Sequence, residues 1–480
     1  YQPKRVGSIL NRTAYDTFGD FYQGLQDEIF KYLSTREVNM ATLIRFEKLW
    51  FKNMILNMAS YLYYQGVESF FNVFQNVPAF IVGAGPSLKK QIQKIKELQN
   101  DYILIAVNTS MPYLIEHDII PDFLITVDPQ DKVYRYFLPL LRKKLERYPV
   151  LIAEPTISPK IVKSYPGNVL FAQIEFFENW INQFSKPKSK IETGGSVATT
   201  AFSFARLIGA SPIVFLGTDM AYTNKTLHFR GAELEKKWLY GAKRLDSMEN
   251  MNYLFLKQFN LSPHDGFFGD TVYTDVKFIT YINWLEKSFQ AYPDLEIINA
   301  TEGGIKFQFI ENKKLSEVLN EIENNKDYQK KSTLNKTLLN PDFNKEKELL
   351  FGEFEKIENE IPDLMMLAEE GLKAANQCYQ KIKDKKNPDI KFLQRMDEID
   401  QKIMKFQSSG LISLSLQKVI HQINEETESQ YTQEEKNSDD LKALRNSIML
   451  YEGIIESSGY SLSQIRKSKK YFEILQSKIS

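Results

Sequence analysis

Residues 80 to 88 read Phe-Ile-Val-Gly-Ala-Gly-Pro-Ser-Leu, a short apolar run followed by a glycine-rich turn. The run has the composition of a buried β-strand, and Pro86 is typical of the first turn of a helix. Gly83 and Gly85 allow the backbone to approach a ligand closely, and the amides at a helix start attract an anion. The stretch therefore predicts a strand, then a turn that could bind a phosphate, and then a helix.

Further apolar runs of the same kind alternate with helical patterns on the C-terminal side of this stretch. Such alternation predicts βαβ units around a buried parallel sheet, with ligands at the carboxyl ends of the strands. We therefore expect an α/β fold with a Rossmann-like central domain. Its predicted strands are residues 79–82, 102–107, 123–127, 150–153, 213–216 and 296–298.

Composition divides the chain into three parts. Most of its 18 prolines and 22 glycines lie between residues 78 and 310, whereas the flanking segments carry apolar residues at helical spacing. We expect an N-terminal, mainly helical segment over 1–77, the Rossmann-like domain over 78–310 and a C-terminal helical bundle over 311–480. Pro362 and Pro388 are predicted to break the helices of that bundle.

The charge balance and the cysteine content exclude several classes of protein. The 480 residues hold 61 Lys and Arg against 61 Asp and Glu, so the chain lacks the net basic charge of a general nucleic-acid binder. Its one cysteine, Cys378, cannot form an internal disulfide, which favours a reducing compartment. No run approaches the ~18 apolar residues of a membrane-spanning helix. A cytoplasmic protein without a membrane span is predicted.

The turn at residues 83–88 does not fit a dinucleotide-dependent enzyme. That fingerprint needs a third glycine, where this chain has Leu88, and an acidic residue after the second strand, where it has Asn108. An amide at the second strand end can donate and accept hydrogen bonds, which suits the edge of a base or a ribose. A role for Asn108 as a turn cap is the alternative.

A second glycine-rich turn, Thr193-Gly194-Gly195-Ser196, precedes a helix of small residues. Unpaired amides and a hydroxyl at a helix start would bind a carboxylate or a phosphate. The alternative is that the turn is only a tight entry into the helix.

Further polar residues follow the later strands. Asp128 and Asp219 could together hold a divalent cation on a pyrophosphate, or each could cap the turn that follows it. Glu302 lies in Thr-Glu-Gly-Gly after the last predicted strand, where it could contact a sugar or an acceptor or hold its own loop. Of the four histidines, His228 and His264 fall in loops beside the predicted cleft. No spacing of Cys and His indicates a metal site.

Seven motifs, in this order, resemble the motility accessory factor family of bacterial flagellin glycosyltransferases. The resemblance implies transfer of a nonulosonic acid, of the pseudaminic or legionaminic type, from its CMP-activated form to Ser or Thr hydroxyls of flagellin in the cytoplasm. It also implies an inverting, sialyltransferase-like core that requires no cofactor and no metal. The motifs are GAGPSL (83–88), AVNTS (106–110), PDFLITVDPQ (121–130), ETGGSVATTAF (192–202), GTDMAYTNKTLHFRG (217–231), VYT (272–274) and NATEGG (299–304).

The similarity to sialyltransferases implies roles for individual positions. In the sialyltransferases, two tyrosines contact the leaving phosphate. This chain has Tyr222 and His228 in the corresponding segment, and we expect both to hydrogen-bond the departing CMP phosphate. The sialyltransferases also have a catalytic His shortly before a Thr-Asp pair. Asp270 occupies the comparable position in this chain. Asp270 is therefore the expected general base, with His264 as its rival. The positions that match the nucleotide-binding turns are Gly85, Pro86, Ser87, Asn108, Gly194, Gly195 and Ser196.

Two other functions stay open. Archaeal pterin pyrophosphokinases resemble the same core and move pyrophosphate from ATP with Mg²⁺, but they lack a long helical tail. A non-catalytic flagellin-binding factor would keep the core as a scaffold. The helical tail, with aromatic residues such as Phe351, Phe354 and Phe406, is expected to recognise the acceptor, and packing is the alternative.

Overall fold

The computed structural model describes residues 11–229, 231–244, 246–322, 334, 338–384, 387, 390–406, 408–425 and 438–479. The chain forms two compact units. The α/β unit is Asn57–Lys347, and the helical unit combines Tyr1–Leu56 with Glu348–Ser480. The helical unit thus draws on both ends of the chain, and the three-part division inferred from composition stays a prediction.

The α/β unit is built on a parallel sheet of eight strands in the order β10-β9-β6-β1-β2-β3-β4-β5. The predicted α/β class with a central parallel sheet is confirmed, and each predicted strand is found to within one residue at either end. The strands, including those of a separate antiparallel hairpin β7–β8, are Ala79–Val82 (β1), Ile103–Val107 (β2), Phe123–Thr126 (β3), Val150–Ala153 (β4), Val169–Phe171 (β5), Ile213–Leu216 (β6), Ser262–Asp265 (β7), Thr271–Thr274 (β8), Ile297–Asn299 (β9) and Glu311–Asn312 (β10).

The helices account for most of the rest of the described chain. None of those within the described ranges is both long and apolar enough to cross a membrane. They are Arg12–Thr17 (α1), Gly19–Tyr63 (α2), Leu88–Leu98 (α3), Met111–Glu116 (α4), Tyr134–Arg142 (α5), Pro159–Ser164 (α6), Glu175–Ile181 (α7), Val197–Leu207 (α8), Glu233–Gly241 (α9), Met248–Leu256 (α10), Val276–Ala291 (α11), Leu315–Ile322 (α12), Phe343–Lys383 (α13), Ile390–Ile403 (α14), Ser408–Ser413 (α15), Gln417–Glu425 (α16) and Asp439–Ile479 (α17).

The strands are apolar throughout because both faces of the sheet are covered. Phe80 and Ile81, which point to opposite faces of β1, are both fully buried. Helix α8 packs on the face that carries Ile81, where Phe202 and Phe204 join the core. A strand buried on both sides cannot show the alternating pattern of a half-exposed one, which explains why these strands read as continuous apolar runs.

The chain reverses its direction across the sheet next to β1. It passes from β1 through β5 along one half of the sheet, then returns to place β6 on the other side of β1. At such a switch point the loops after the two neighbouring strands diverge to opposite faces and leave a crevice at the carboxyl ends. The crevice here lies between the loops that follow β1 and β6.

The helical unit contains the long apolar stripe predicted from spacing. Leu350, Phe354, Ile357 and Ile361 are buried along α13. The prediction that Pro362 breaks this helix is wrong, because Pro362 lies inside it. The apolar stripe continues beyond the proline, and tertiary packing of that face outweighs the one hydrogen bond that proline removes. Pro388, the second predicted break, lies outside the described residues.

Candidate functional site

The turn between β1 and α3 is held tightly against the loop that follows β6. The Gly83 amide donates to the Leu216 carbonyl at 2.8 Å, and the Gly85 amide donates to the Gly217 carbonyl at 2.7 Å. A Cβ atom at Gly85 would collide with the carboxylate of Asp219. Glycine is required here because two loops meet, and the anion that approaches it belongs to the chain itself.

Asp219 places a buried negative charge in that glycine-rich turn. Its carboxylate accepts the Ser87 hydroxyl at 2.6 Å, the Ser87 amide at 3.2 Å and the Thr223 hydroxyl at 3.4 Å. Burial raises the pKa of Asp219 to about 6, and the hydrogen bonds from Ser87 and Thr223 act in the opposite direction. An incoming phosphate would have to displace Asp219 in order to use the Ser87 amide.

Asn108 follows β2 and is buried at the same edge of the sheet. Its Nδ2 donates to the Thr126 hydroxyl at 3.1 Å, whereas its Oδ1 receives no hydrogen bond from the residues that the structure describes. Leaving a buried acceptor unpaired costs on the order of 1–3 kcal/mol. A ligand that donates a hydrogen bond would remove this cost, which supports the predicted role of Asn108 in ligand binding.

Two acidic residues predicted to bind ligands accept hydrogen bonds from backbone amides of the chain. Asp128 Oδ1 accepts the Gln130 amide at 2.9 Å, as expected of a turn cap. Glu302 Oε1 accepts the amide of Leu315, the first residue of α12, at 3.0 Å. In the described part of the chain, no three His, Cys, Asp or Glu side chains are grouped so that they could hold a metal ion. The Asp128 contact corresponds to the turn-cap alternative that the sequence left open, and Glu302 joins its loop to the start of α12.

The second glycine-rich turn is hydrogen-bonded to the first turn of α8, the helix that follows it. The Thr199 hydroxyl oxygen accepts the Gly194 amide at 3.0 Å and the Ser196 amide at 3.2 Å, and Ser196 caps α8 in return. A Cβ atom at Gly194 would collide with the ring of Trp284 on α11. The prediction of unpaired amides at Gly194 and Ser196 is therefore wrong. Thr199 takes both amides, a role that its place in a run of small residues did not reveal.

Tyr222 is buried and bonded to the start of α11. Its hydroxyl donates to Asp275 Oδ2 at 2.7 Å, while Asp275 Oδ1 accepts the Phe278 amide at 2.8 Å and so caps the helix. Burial raises the pKa of Tyr222, and the bond to the negative Asp275 raises it further. In this geometry the Tyr222 proton is directed at Asp275, so contact with a phosphate requires that this bond be exchanged.

His228 lies in the loop that covers the β1–α3 turn. The loop is fixed there because the Phe229 amide donates to the Ala84 carbonyl at 3.2 Å. Burial lowers the pKa of His228 to about 4, and the positive charge of Lys277 lowers it further. The side chain lines a small pocket together with Trp238 of α9. At neutral pH the ring is uncharged, so it can donate one hydrogen bond and accept another.

The hairpin β7–β8 carries both residues expected to act as the general base. His264 lies on β7 opposite Val272, and Asp270 lies in the connecting turn, and both side chains are exposed. The hairpin is attached to the crevice loops through the Phe267 amide, which donates to the Gly304 carbonyl at 2.9 Å. The structure thus brings the hairpin to the same edge as the β1 and β6 loops.

Glu154 is a residue of this edge that sequence reasoning missed. It directly follows β4, and burial raises its pKa to about 7, with the Thr156 hydroxyl bond at 3.2 Å acting in the opposite direction. Gln173, which follows β5, is also buried, and its Oε1 has no hydrogen-bond partner among the described residues. Position after a predicted strand was the one available signal for Glu154, because Glu-Pro-Thr forms no known motif.

Comparison with known proteins finds one family model and several relatives that are similar to parts of this chain. A family model described as 6-hydroxymethylpterin diphosphokinase MptE-like matches residues 52–225. Three relatives from Treponema pallidum (strain Nichols), each described as an uncharacterized protein, are 36% identical over 87 residues, 32% over 123 and 24% over 255. These matches span 18%, 22% and 51% of this chain, and 40%, 31% and 43% of the respective relatives. The chain therefore spans less than half the length of each relative.

A solved structure resembles a larger part of the chain. A Maf glycosyltransferase from Magnetospirillum magneticum AMB-1 superposes with a TM-score of 0.52 at 17% identity, covering 89% of this chain and 63% of the neighbour. The two proteins share a fold. The resemblance to the motility accessory factor family is thereby confirmed at the level of the fold, and the family model confirms the similarity to the pterin pyrophosphokinase core.

Proposed function

We propose that this chain is a glycosyltransferase that moves a nonulosonic acid, of the pseudaminic or legionaminic type, from a CMP-activated donor to Ser or Thr hydroxyls of flagellin. The observation that carries the proposal is the shared fold with a Maf glycosyltransferase over 89% of the chain. The order of the motifs around the switch point gives it further support. The proposed reaction takes place in the cytoplasm, inverts the anomeric carbon and requires no cofactor or metal.

The contacts at the crevice favour one orientation of the donor. Asp219 already occupies the Ser87 amide, so a phosphate at the β1–α3 turn would meet a negative charge. Asn108 instead has an unpaired acceptor, which suits the amino group of a cytosine or a ribose hydroxyl. We therefore place the nucleoside at Asn108 and the phosphate toward the loop of His228, whose neutral ring can donate a hydrogen bond to it.

In the proposed transfer, an acceptor hydroxyl oxygen attacks the anomeric carbon while the bond from that carbon to the CMP phosphate oxygen breaks. The leaving phosphate takes the electron pair of that bond, and His228 and Tyr222 stabilise the charge that develops on it. A general base takes the hydroxyl proton. Asp270 and His264 on the hairpin are the bases proposed from the resemblance.

The test is intact-mass analysis of flagellin co-expressed with this chain and a pathway that makes a CMP-nonulosonic acid. We expect flagellin to gain one or more whole nonulosonic acid residues, and a donor-pathway control without this chain should leave its mass unchanged. Unmodified flagellin in the presence of both the donor and the folded chain would contradict the proposal.

The family-model match supports a second candidate, an Mg-ATP-dependent pyrophosphokinase that acts on a pterin. Calorimetry separates the two functions, because a glycosyltransferase of this type should bind CMP and a kinase should bind Mg-ATP and not CMP. A non-catalytic flagellin-binding factor is distinguished by the mass experiment. It would bind flagellin without changing its mass.

A further inference from the structure

The acidic residues that the sequence assigned to the crevice already have partners. Asp219 accepts hydrogen bonds from Ser87 and Thr223, Asp128 from Gln130, and Glu302 from Leu315. A carboxylate that accepts a proton during a reaction needs at least one lone pair directed at the substrate. Each of these three carboxylates accepts a backbone amide and so holds a loop, and Asp219 accepts hydrogen bonds on both of its oxygens. Glu154, by contrast, accepts no backbone amide among the described residues.

Glu154 is placed differently. It follows β4, which is separated from β2 by one strand, so the ends of β2 and β4 lie about 10 Å apart. The backbone beyond it is fixed, because the amide Nδ2 of Asn57 donates to the carbonyls of Pro155 and Ile157, both at 2.9 Å. Glu154 thus lies on a rigid support at the same carboxyl edge as Asn108, at a distance that a nucleotide sugar can span.

The carboxylate of Glu154 has little to stabilise its charge. Its Oε2 accepts the Thr156 hydroxyl, and its Oε1 has neither a hydrogen-bond nor an ion-pair partner in the part of the chain that the structure describes. The residue does not cap α6, which begins at Pro159 after Ser158. A partly buried carboxylate with one hydrogen bond and no ion pair in the described part of the chain lowers stability, and such groups concentrate at functional sites.

We propose that Glu154, in place of Asp270 or His264 of the hairpin, is the catalytic base of the transfer, with the acceptor hydroxyl bound at the carboxyl end of β4. This rests on the proposed function. The hydroxyl proton passes to Glu154 Oε1 as the hydroxyl oxygen forms its bond to the anomeric carbon, and CMP leaves with the electron pair of the broken carbon–oxygen bond. Glu154 then returns the proton to solvent. Burial holds its pKa near 7, which keeps it basic enough to take a proton from an alcohol in the transition state.

The experiment compares turnover with CMP binding in the full-length chain. Purified flagellin and CMP-pseudaminic acid, or CMP-legionaminic acid, serve as substrates in an intact-mass assay, and calorimetry with CMP gives Kd. Glu154→Gln should lower kcat by about 10²- to 10⁴-fold while the Kd for CMP stays within about twofold. Glu97→Gln, the same change at an exposed position of α3, is the matched control and should behave like the wild type.

Several other results would overturn the assignment of Glu154 as the base. Turnover of Glu154→Gln close to the wild type, or a loss of CMP affinity that matches its loss of turnover, overturns the assignment. Loss of turnover in Asp270→Asn with Glu154→Gln active overturns it in favour of the hairpin. If Gln prevents folding, Glu154→Asp decides, since it should lower kcat at least tenfold with Kd unchanged, and wild-type turnover refutes the inference. A wild-type chain that neither binds CMP nor modifies flagellin refutes the proposed function itself.

Discussion

At the scale of single residues, two carboxyl groups at the carboxyl edge of the sheet have pKa values well above their ordinary range, and burial is the main cause for both. Asp219 is surrounded by hydrogen-bond donors, whereas Glu154 has one. The same shift therefore accompanies two different roles. Asp219 connects the β1 and β6 loops, whereas Glu154 keeps one carboxylate oxygen without a hydrogen-bond partner in the described part of the chain.

The raised pKa of Asp219 predicts a pH dependence of stability. In the folded state the pKa is about 6 against an ordinary 3.8, so the folded chain binds the proton more tightly than the unfolded chain does. The contribution of this group to the free energy of unfolding is therefore largest below pH 4 and falls by about 3 kcal/mol as the pH rises through 6. Asp219→Asn should remove this dependence.

Urea unfolding at pH 4.5 and pH 7.5 measures the effect. The stability of Asp219→Asn relative to the wild type should be more favourable at the higher pH. Asp294→Asn, at an exposed position, is the control and should show the same difference at both values. An Asp219→Asn variant with the pH profile of the wild type would disprove the assignment of the shift to this group.

Asn108 gives a prediction about ligand affinity that rests on the proposed function. Asn108→Ala should weaken CMP binding about tenfold, because one hydrogen bond to the ligand is worth about 1–1.5 kcal/mol. Thr126→Val breaks the Asn108–Thr126 hydrogen bond and keeps the amide, so it should change the Kd for CMP much less. Calorimetry with CMP gives both values, and equal losses in the two variants would mean that Asn108 only supports its neighbour.

At the scale of elements, the loops of the crevice are joined to one another through α11 and the hairpin. Asp275 caps α11 and holds Tyr222, and Trp284 of the same helix packs on Gly194. The hairpin in turn donates from Phe267 to the loop at Gly304. A change in one loop is therefore expected to affect the others through these shared contacts.

The contact between the β1–α3 turn and the loop after β6 can be tested by a double-mutant cycle. Gly85→Ala should destabilise the α/β unit by about 1–3 kcal/mol, because the new Cβ atom collides with the Asp219 carboxylate. In an Asp219→Ala background the same change should cost clearly less. Gly352→Ala is the control, because a Cβ atom there meets open space, and it should not lower the free energy of unfolding. Additive free energies of unfolding would show that the two positions do not contact each other.

At the scale of the whole molecule, the helical unit is assembled from both ends of the chain. The Ser468 hydroxyl donates to the Ile55 carbonyl at 2.6 Å, and the Tyr460 hydroxyl donates to the Lys48 carbonyl at 3.0 Å. A deletion of the C-terminal segment would remove these partners from α2. Acceptor recognition by this unit, which stays a prediction, is therefore better tested by point substitutions.

Phe354 is one of the aromatic residues that the sequence predicts to recognise the acceptor, with packing as the alternative. Its side chain is fully buried, so its role is packing. Phe354→Ala should lower the free energy of unfolding by about 3–5 kcal/mol, whereas Met366→Ala, exposed on the same helix, should change it by less than about 0.5 kcal/mol. Thermal unfolding compares them, and similar melting temperatures for the two variants would contradict the burial of Phe354.

The sequence by itself determined the elements and their class. Strands such as β1 and β4 were readable because a segment buried on both faces must be apolar over its whole length. The small-residue helix after Ser196 was readable because helix caps depend on residues three or four positions apart. The order of motifs also carried the resemblance that the shared fold confirms.

Only the tertiary structure decided what occupies the crevice. Ser87 and Asp219 are 132 positions apart in the chain. Nothing local to either residue shows that the Asp219 carboxylate fills the turn that contains Ser87. The environment of Glu154 is equally non-local, since its pKa depends on which distant side chains exclude water from it. Hydrogen-bond partners and burial depend on which distant residues come together in the folded chain, whereas strands, caps and turns depend on residues that are close in sequence.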